Sequence, residues 1–269
     1  MAAGAVLPAW PGAGRLTARA GAARPNPGRC PAKGFQRMSD SSGAAVPRRN
    51  FYGRVHGKTL RASQKAYLAG DLDRWRLAGV TVQDNPGRAP LDAAALAAGR
   101  ALWLEVGFGG GEHLVAVAAA HPEALLIGCE PFVNGIAMTL GKLRAAPAAN
   151  VVIHPGDVRD LLDVLPGDCL SRVYLNYPDP WPKARHHRRR FVTQGHLAPL
   201  YRACAPGAEF RLVTDIADYA RQARIEVPRA GFVPVSDGAV PWDGWVRTRY
   251  EAKALRDGRA PQYLVFAKI

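Results

Sequence analysis

The stretch Ala101-Leu102-Trp103-Leu104-Glu105-Val106-Gly107-Phe108-Gly109-Gly110-Gly111-Glu112 decides the fold of this chain. Ala101 to Val106 is a short, mostly apolar run of the length of a buried strand. Glycines at 107, 109, 110 and 111 follow it, and Leu114 to Ala120 is an alanine-rich helical segment. A strand that passes through a glycine turn into a helix brings bare backbone against a ligand at the helix start, which suits a nucleotide-like cofactor. A dinucleotide fingerprint would place a third glycine at position 112 and pyrophosphate at that helix N-terminus. Glu112 stands there instead and would repel pyrophosphate. Glu105, just ahead of the loop, adds more negative charge. That balance suits a cationic cofactor carrying an amino group or a sulfonium, and S-adenosyl-L-methionine is one.

Outward from this stretch the pattern alternates. Ala124 to Cys129 reads as a second strand ending at Glu130, Met138 to Ala145 as helix, Val151 to His154 as strand and Val158 to Leu165 as a short helix. Arg172 to Tyr177 is the next strand, Phe191 to Cys204 is helical, Pro206-Gly207 turns the chain, and Glu209 to Thr214 is a strand ending at Asp215. Strand and helix in alternation predict an α/β fold, a parallel sheet with helices on both faces. In such sheets the carboxyl ends of the strands line the ligand crevice. Glu130, about 20 residues beyond the glycine loop, is placed to accept hydrogen bonds from ribose hydroxyls. Asp157, after the third strand, either caps a helix or contacts an adenine ring.

The strand Arg172 to Tyr177 runs into Pro178-Asp179-Pro180-Trp181-Pro182, where the prolines must end it because they donate no ladder hydrogen bond. Asp179 therefore sits at a rigid strand end. Lys183, Arg185, Arg188, Arg189 and Arg190 follow, with His186 and His187 among them. So dense a cationic loop, if it is not simply a solvated turn, suits a polyanion.

The 269 residues carry a formal charge of +14, which points to an anionic partner. No apolar run approaches the ~18 residues of a spanning helix. Cys30, Cys129, Cys169 and Cys204 lack paired spacing, so neither a zinc site nor a disulfide framework is expected, and a cytoplasmic setting fits best. Residues 1–48 read as a disordered basic head: the first 38 contain no Asp or Glu and are rich in Ala, Gly and Pro. A natural start at Met38 is the other reading of that region. Residues 49–99 form a basic arm and helix, in which Arg54, His56, Lys58 and Arg61 either touch RNA or simply pack on the domain. Residues 100–269 form the main domain.

Taken together, Glu105-Val106-Gly107-Phe108-Gly109-Gly110-Gly111-Glu112, Glu130-Pro131-Phe132, Pro178-Asp179-Pro180-Trp181-Pro182-Lys183-Ala184-Arg185-His186, Thr214-Asp215 and Thr248-Arg249-Tyr250-Glu251 resemble the bacterial tRNA (guanine-N7-)-methyltransferase family. The resemblance covers roughly residues 50 to 269. It implies the Rossmann-like class I methyltransferase fold, a mostly parallel seven-stranded sheet with an antiparallel last strand, here Gln262 to Ile269 after a helix near Tyr250 to Asp257. It implies methyl transfer from S-adenosyl-L-methionine to N7 of guanine 46 in the tRNA variable loop. Glu105, Gly107, Gly109, Glu130, Asp157 and Asp179 would bind the cofactor, with Asp179 also catalytic. Lys183, Asp215, Thr248, Arg249, Tyr250 and Glu251 would contact substrate, and Arg185, His186, His187, Arg188, Arg189 and Arg190 would grip tRNA. No metal is implied, and monomer and homodimer both stay open. Asn176-Tyr177 and Arg249-Tyr250 stand where the family more often has Phe and Lys-Phe, and both keep the chemical type. Another class I methyltransferase, a catalytically silent RNA-binding homologue and a nicotinamide-dependent oxidoreductase are the competing readings; Glu112 and the missing third glycine disfavour the last.

Overall fold

The computed structural model describes residues 50–146 and 148–269. The expected head, residues 1–48, lies outside them. The strands are β1 (Ala101–Val106), β2 (Ala124–Cys129), β3 (Val151–His154), β4 (Leu170–Asn176), β5 (Cys204–Thr214), β6 (Val233–Gly238) and β7 (Gln262–Ala267). They form a seven-stranded sheet in the order β3-β2-β1-β4-β5-β7-β6. β1 to β5 pair in parallel, and β7 runs antiparallel to both of its neighbours, β5 and β6.

The helices are α1 (Ala62–Gly70), α2 (Leu72–Trp75), α3 (Ala93–Ala97), α4 (Glu112–Ala120), α5 (Val133–Ala145), α6 (Val158–Val164), α7 (Gln194–Ala203), α8 (Ala217–Arg229) and α9 (Arg249–Arg256). Alternation along the strands divides them between two faces. Leu102, Leu104 and Val106 of β1 pack with Leu161 of α6, Leu197 of α7 and Tyr219 of α8. Trp103, on the opposite face, joins Leu114 of α4 and Ile136 of α5. Both faces of the central strands are dry, which is why β2 reads as an unbroken apolar run.

Three features differ from the sequence reading. Pro206-Gly207 does not separate a helix from a strand: β5 already begins at Cys204, and the pair sits in a bulge. Leu170 of β4 faces Cys204 and Arg172 faces Glu209, while Gly207, at φ +81°, donates its amide to Lys268 O at 2.7 Å. α5 starts at Val133 rather than Met138, with Gly135 so close to the glycine loop that a Cβ would come within 2.3 Å of Gly109 O. β6 escaped the sequence reading because all six of its residues are exposed, so no burial pattern marks it.

The arm preceding α1 packs on the domain. Val133 N donates to Val55 O at 2.9 Å, Gly57 N to Asn134 Oδ1 at 2.8 Å, and Asn134 Nδ2 to Lys58 O at 2.7 Å.

Candidate active site

The carboxyl ends of β1 to β4 open into a cavity of about 410 Å³. Gly107 and Gly109 form part of its wall at φ +71° and +55°, left-handed values that glycine adopts without the steric cost a side chain brings. A Cβ built on Gly107 meets nothing within 4 Å, so that position is kept bare beside open space.

Glu130 holds the loop in this shape. Its Oε2 accepts the Gly109 amide at 2.7 Å and its Oε1 the Phe132 amide at 2.8 Å. Burial raises the Glu130 carboxyl from its ordinary value; the two amides oppose that, while Asp179 and Glu105 add to it. Asp157, also on the wall, caps α6 by accepting the Arg159 amide at 2.9 Å. Burial alone would raise its carboxyl, but the Arg159 side chain and amide hold it below the ordinary value. Of the two readings open in the sequence, the cap is realised here, and the same residue also lies on the cavity wall.

Glu105 lies behind the wall rather than on it. It is buried, its Oε2 sits 2.9 Å from His113 Nδ1, and its Oε1 takes the Asn176 amide group at 3.4 Å. Asp179 stands at the rim, open to solvent. The protein walls beside it still desolvate it enough to push its carboxyl above the ordinary aspartate value, while Arg54 pulls it back.

The expected substrate residues differ in exposure and in their partners. Tyr250 reaches the cavity and stacks on Tyr177, ring centres 6.5 Å apart. Arg249 is exposed beside it, 3.4 Å from the Tyr250 hydroxyl. Thr248 caps α9 through the Glu251 amide at 3.2 Å. Glu251 is buried, accepting the Trp245 indole N–H at 2.7 Å and the Tyr263 hydroxyl at 3.0 Å, which serves packing of the C-terminal segment. Asp215 caps no helix and instead accepts Arg259 Nε at 2.6 Å. Lys183 is exposed at the head of a 3-10 turn, Ala184–Arg189.

Within the cationic loop Arg185 and Arg188 are exposed, and His186 and His187 are half-buried, the latter 3.2 Å from Asp218. Arg188 and Arg189 line the cavity. Arg190 corrects the expectation of an RNA grip. Its side chain is 0% exposed, with Nε on Pro180 O and Nη1 on Gln222 Oε1, both at 2.8 Å. A guanidinium so enclosed offers no phosphate contact.

Sequence reasoning missed part of the wall. Asn50, Phe51, Tyr52 and Arg54 of the arm also line the cavity, and Arg159 Nη2 ties the arm down by donating to Asn50 O at 3.1 Å. The aromatic pair Phe51-Tyr52 beside a basic residue was the available signal.

The site suits the cofactor that the loop predicted. It has a bare backbone position facing open space, an acid at the second strand end and an acid at its rim, all favouring a cationic ligand with ribose hydroxyls. Residues 99–262 match the model of a family described as "Putative methyltransferase". A solved 16S rRNA methyltransferase, KamB, shares the fold, with a TM-score of 0.51 at 16% identity over 67% of this chain and 95% of that one. Fold and site together define an S-adenosylmethionine-dependent methyltransferase. Curated relatives named tRNA (guanine-N(7)-)-methyltransferase are 63% identical in Cereibacter sphaeroides and 61% identical in Paracoccus denitrificans. Each alignment covers 82% of this chain, and 91% and 96% of the respective relative. The chain belongs to the tRNA (guanine-N(7)-)-methyltransferase family.

No helix among the described residues is long and apolar enough to cross a membrane, and none of their His, Cys, Asp and Glu side chains cluster into a metal site.

Proposed function

We propose that this chain methylates N7 of guanine 46 in the variable loop of tRNA, acting in the cytoplasm as a monomer or homodimer. The observation that carries the reading is Asp179 at the rim of the cofactor cavity, at the end of β4 and directly ahead of the exposed cations Lys183, Arg185 and Arg188. The position in tRNA comes from the family resemblance.

When bound, S-adenosyl-L-methionine supplies an electrophilic methyl carbon on a sulfonium. Guanine N7 carries an in-plane lone pair and no proton, so no base is needed and alignment dominates. A purine that takes the methyl group at N7 would gain a positive charge, balanced by the loss of the cofactor's sulfonium charge. The ionised Asp179 stabilises that developing charge and accepts hydrogen bonds from guanine N1–H and the exocyclic amine. Gly107 leaves room for the cofactor, and Glu130 keeps the loop shaped while accepting from the ribose. Arg185 and Arg188 hold phosphates, a contact that reads shape and charge rather than sequence.

The test is transfer of labelled methyl to bulk tRNA, followed by borohydride reduction and aniline cleavage, which breaks chains at N7-methylguanosine. Cleavage at one variable-loop guanine is expected; label without cleavage there would assign another acceptor.

A further inference from the structure

The glycine loop is seated on one stripe of α5, residue against residue. A Cβ added to Gly135 would collide with Gly109 O, one on Gly110 with Met138 Cε, and one on Gly111 with the Thr139 side chain. Gly135, Met138, Thr139 and Lys142 are spaced i, i+3, i+4 and i+7, so a single helix face carries the whole seat. Gly135 and Met138 act by shape, and the buried Thr139 donates its hydroxyl within its own helix, to Gly135 O at 3.0 Å.

Lys142 is the charged member of the stripe. Its Nζ donates to Gly110 O at 2.7 Å and stands 3.3 Å from Glu112 Oε1. Gly110 joins the cavity wall at Gly109 to the α4 cap at Gly111, which has no side chain of its own to offer the helix. The sequence presents Glu112 as a bare negative charge behind the cofactor loop, and the fold sets Lys142 against it. The two side chains are 36% and 28% exposed, so the pair adds little to global stability. Its consequence is local, in the shape of the loop and in the field around it.

We propose that Lys142 is a positioning residue of the cofactor site that acts on the bound cofactor in two ways. By holding the Gly110 carbonyl it keeps the loop in its binding shape. By neutralising Glu112 it weakens the negative field acting on a sulfonium. For S-adenosylmethionine the two effects oppose each other: loss of the lysine loosens the loop but frees Glu112 to attract the cation. S-adenosylhomocysteine carries a neutral thioether in place of the sulfonium, so it registers the loosening alone.

The experiment measures equilibrium binding of both molecules, without tRNA, by titration calorimetry. The proteins are wild type, Lys142→Met, Lys142→Arg and the double variant Lys142→Met with Glu112→Gln. Lys142→Met is expected to bind S-adenosylhomocysteine about three- to tenfold more weakly, the range of one charge-assisted hydrogen bond partly screened by water. Its preference for S-adenosylmethionine over S-adenosylhomocysteine should rise about two- to threefold above that of wild type, the scale of a unit charge about 10 Å away in a high dielectric. The double variant should return that preference to the wild-type value while keeping the weakened binding. Lys142→Arg, which keeps the charge, should match wild type in both. A Lys142→Met protein that binds S-adenosylhomocysteine as wild type does overturns the proposal. So does one that loses affinity for both molecules equally, which is what a merely structural lysine would give. A wild type that binds neither molecule overturns the cofactor assignment, and this role with it.

Discussion

Arg190 Nη2 lies 2.8 Å from Asp218 Oδ2, joining the turn that carries Asp179 to the first turn of α8. Through its further bonds to the carbonyls of Pro180 and Trp181, this arginine fixes the backbone on which the rim of the active site is built. The hydrogen bond from Arg190, with its charge and that of Arg221, holds Asp218 below the ordinary aspartate value against the opposing effect of desolvation.

Arg190→Met is therefore expected to cost stability rather than RNA affinity. Removing one partner of a buried ion pair costs about 3–5 kcal/mol. Asp218 is one-third exposed, so about 2–3 kcal/mol is the appropriate scale here. Calorimetry should show a melting temperature lowered by roughly 5–10 °C, while the salt dependence of tRNA binding stays that of wild type.

Arg185→Ala with Arg188→Ala should behave in the opposite way. Both side chains are exposed, so the melting temperature should hold. The slope of log affinity for tRNA against log salt should fall by about 1 to 2, close to one for each phosphate that is no longer neutralised. An unchanged slope in a filter-binding titration would place the tRNA elsewhere.

Gly107→Ala places a methyl group in the cavity at a backbone angle that L-residues disfavour by about 1–2 kcal/mol. Affinity for S-adenosylhomocysteine by titration calorimetry is expected to drop at least about tenfold, each factor of ten being 1.4 kcal/mol. Affinity for tRNA should be retained.

Asp179 must be ionised to stabilise a cationic purine, and desolvation by the protein walls beside it raises its carboxyl from the ordinary value. A raised carboxyl takes up its proton at higher pH than a free aspartate. Activity should thus be full above the raised value and fall as pH drops through it. Arg54→Met removes the opposing charge and should move this acid limb of the kcat profile higher still. Asp179→Asn should abolish the limb and lower kcat by about 10²–10³, the scale of one preorganised electrostatic contact, with cofactor affinity held within a few fold.

Much of the architecture could be read from local pattern. The strand-glycine-helix unit at 101–120, the strand ends at Glu130 and Asp157, and the proline-terminated β4 each follow from periodicity and turn chemistry within a dozen residues. β6 could not be read in this way, because an exposed edge strand has no buried face to impose alternation. The partners of Glu251 and Glu105 could not be read in this way either: in the fold one holds Trp245 and Tyr263 and the other His113 and Asn176, all far from them or unmarked in the local pattern.

The sequence by itself determined that the chain folds as a parallel α/β sheet, that a bare glycine loop meets acids at the strand ends, and that one carboxylate stands ahead of a cationic run. Spacing along the chain carries that information, since hydrogen-bond period and turn geometry are local. Tertiary structure alone decided which of the adjacent arginines meets water and which is locked against Asp218, and that the arm brings Tyr52 and Arg54 across to Asp179. Those outcomes depend on packing between segments far apart in sequence, where burial and charge pairing are settled only when the sheet, the arm and α8 close around the same turn.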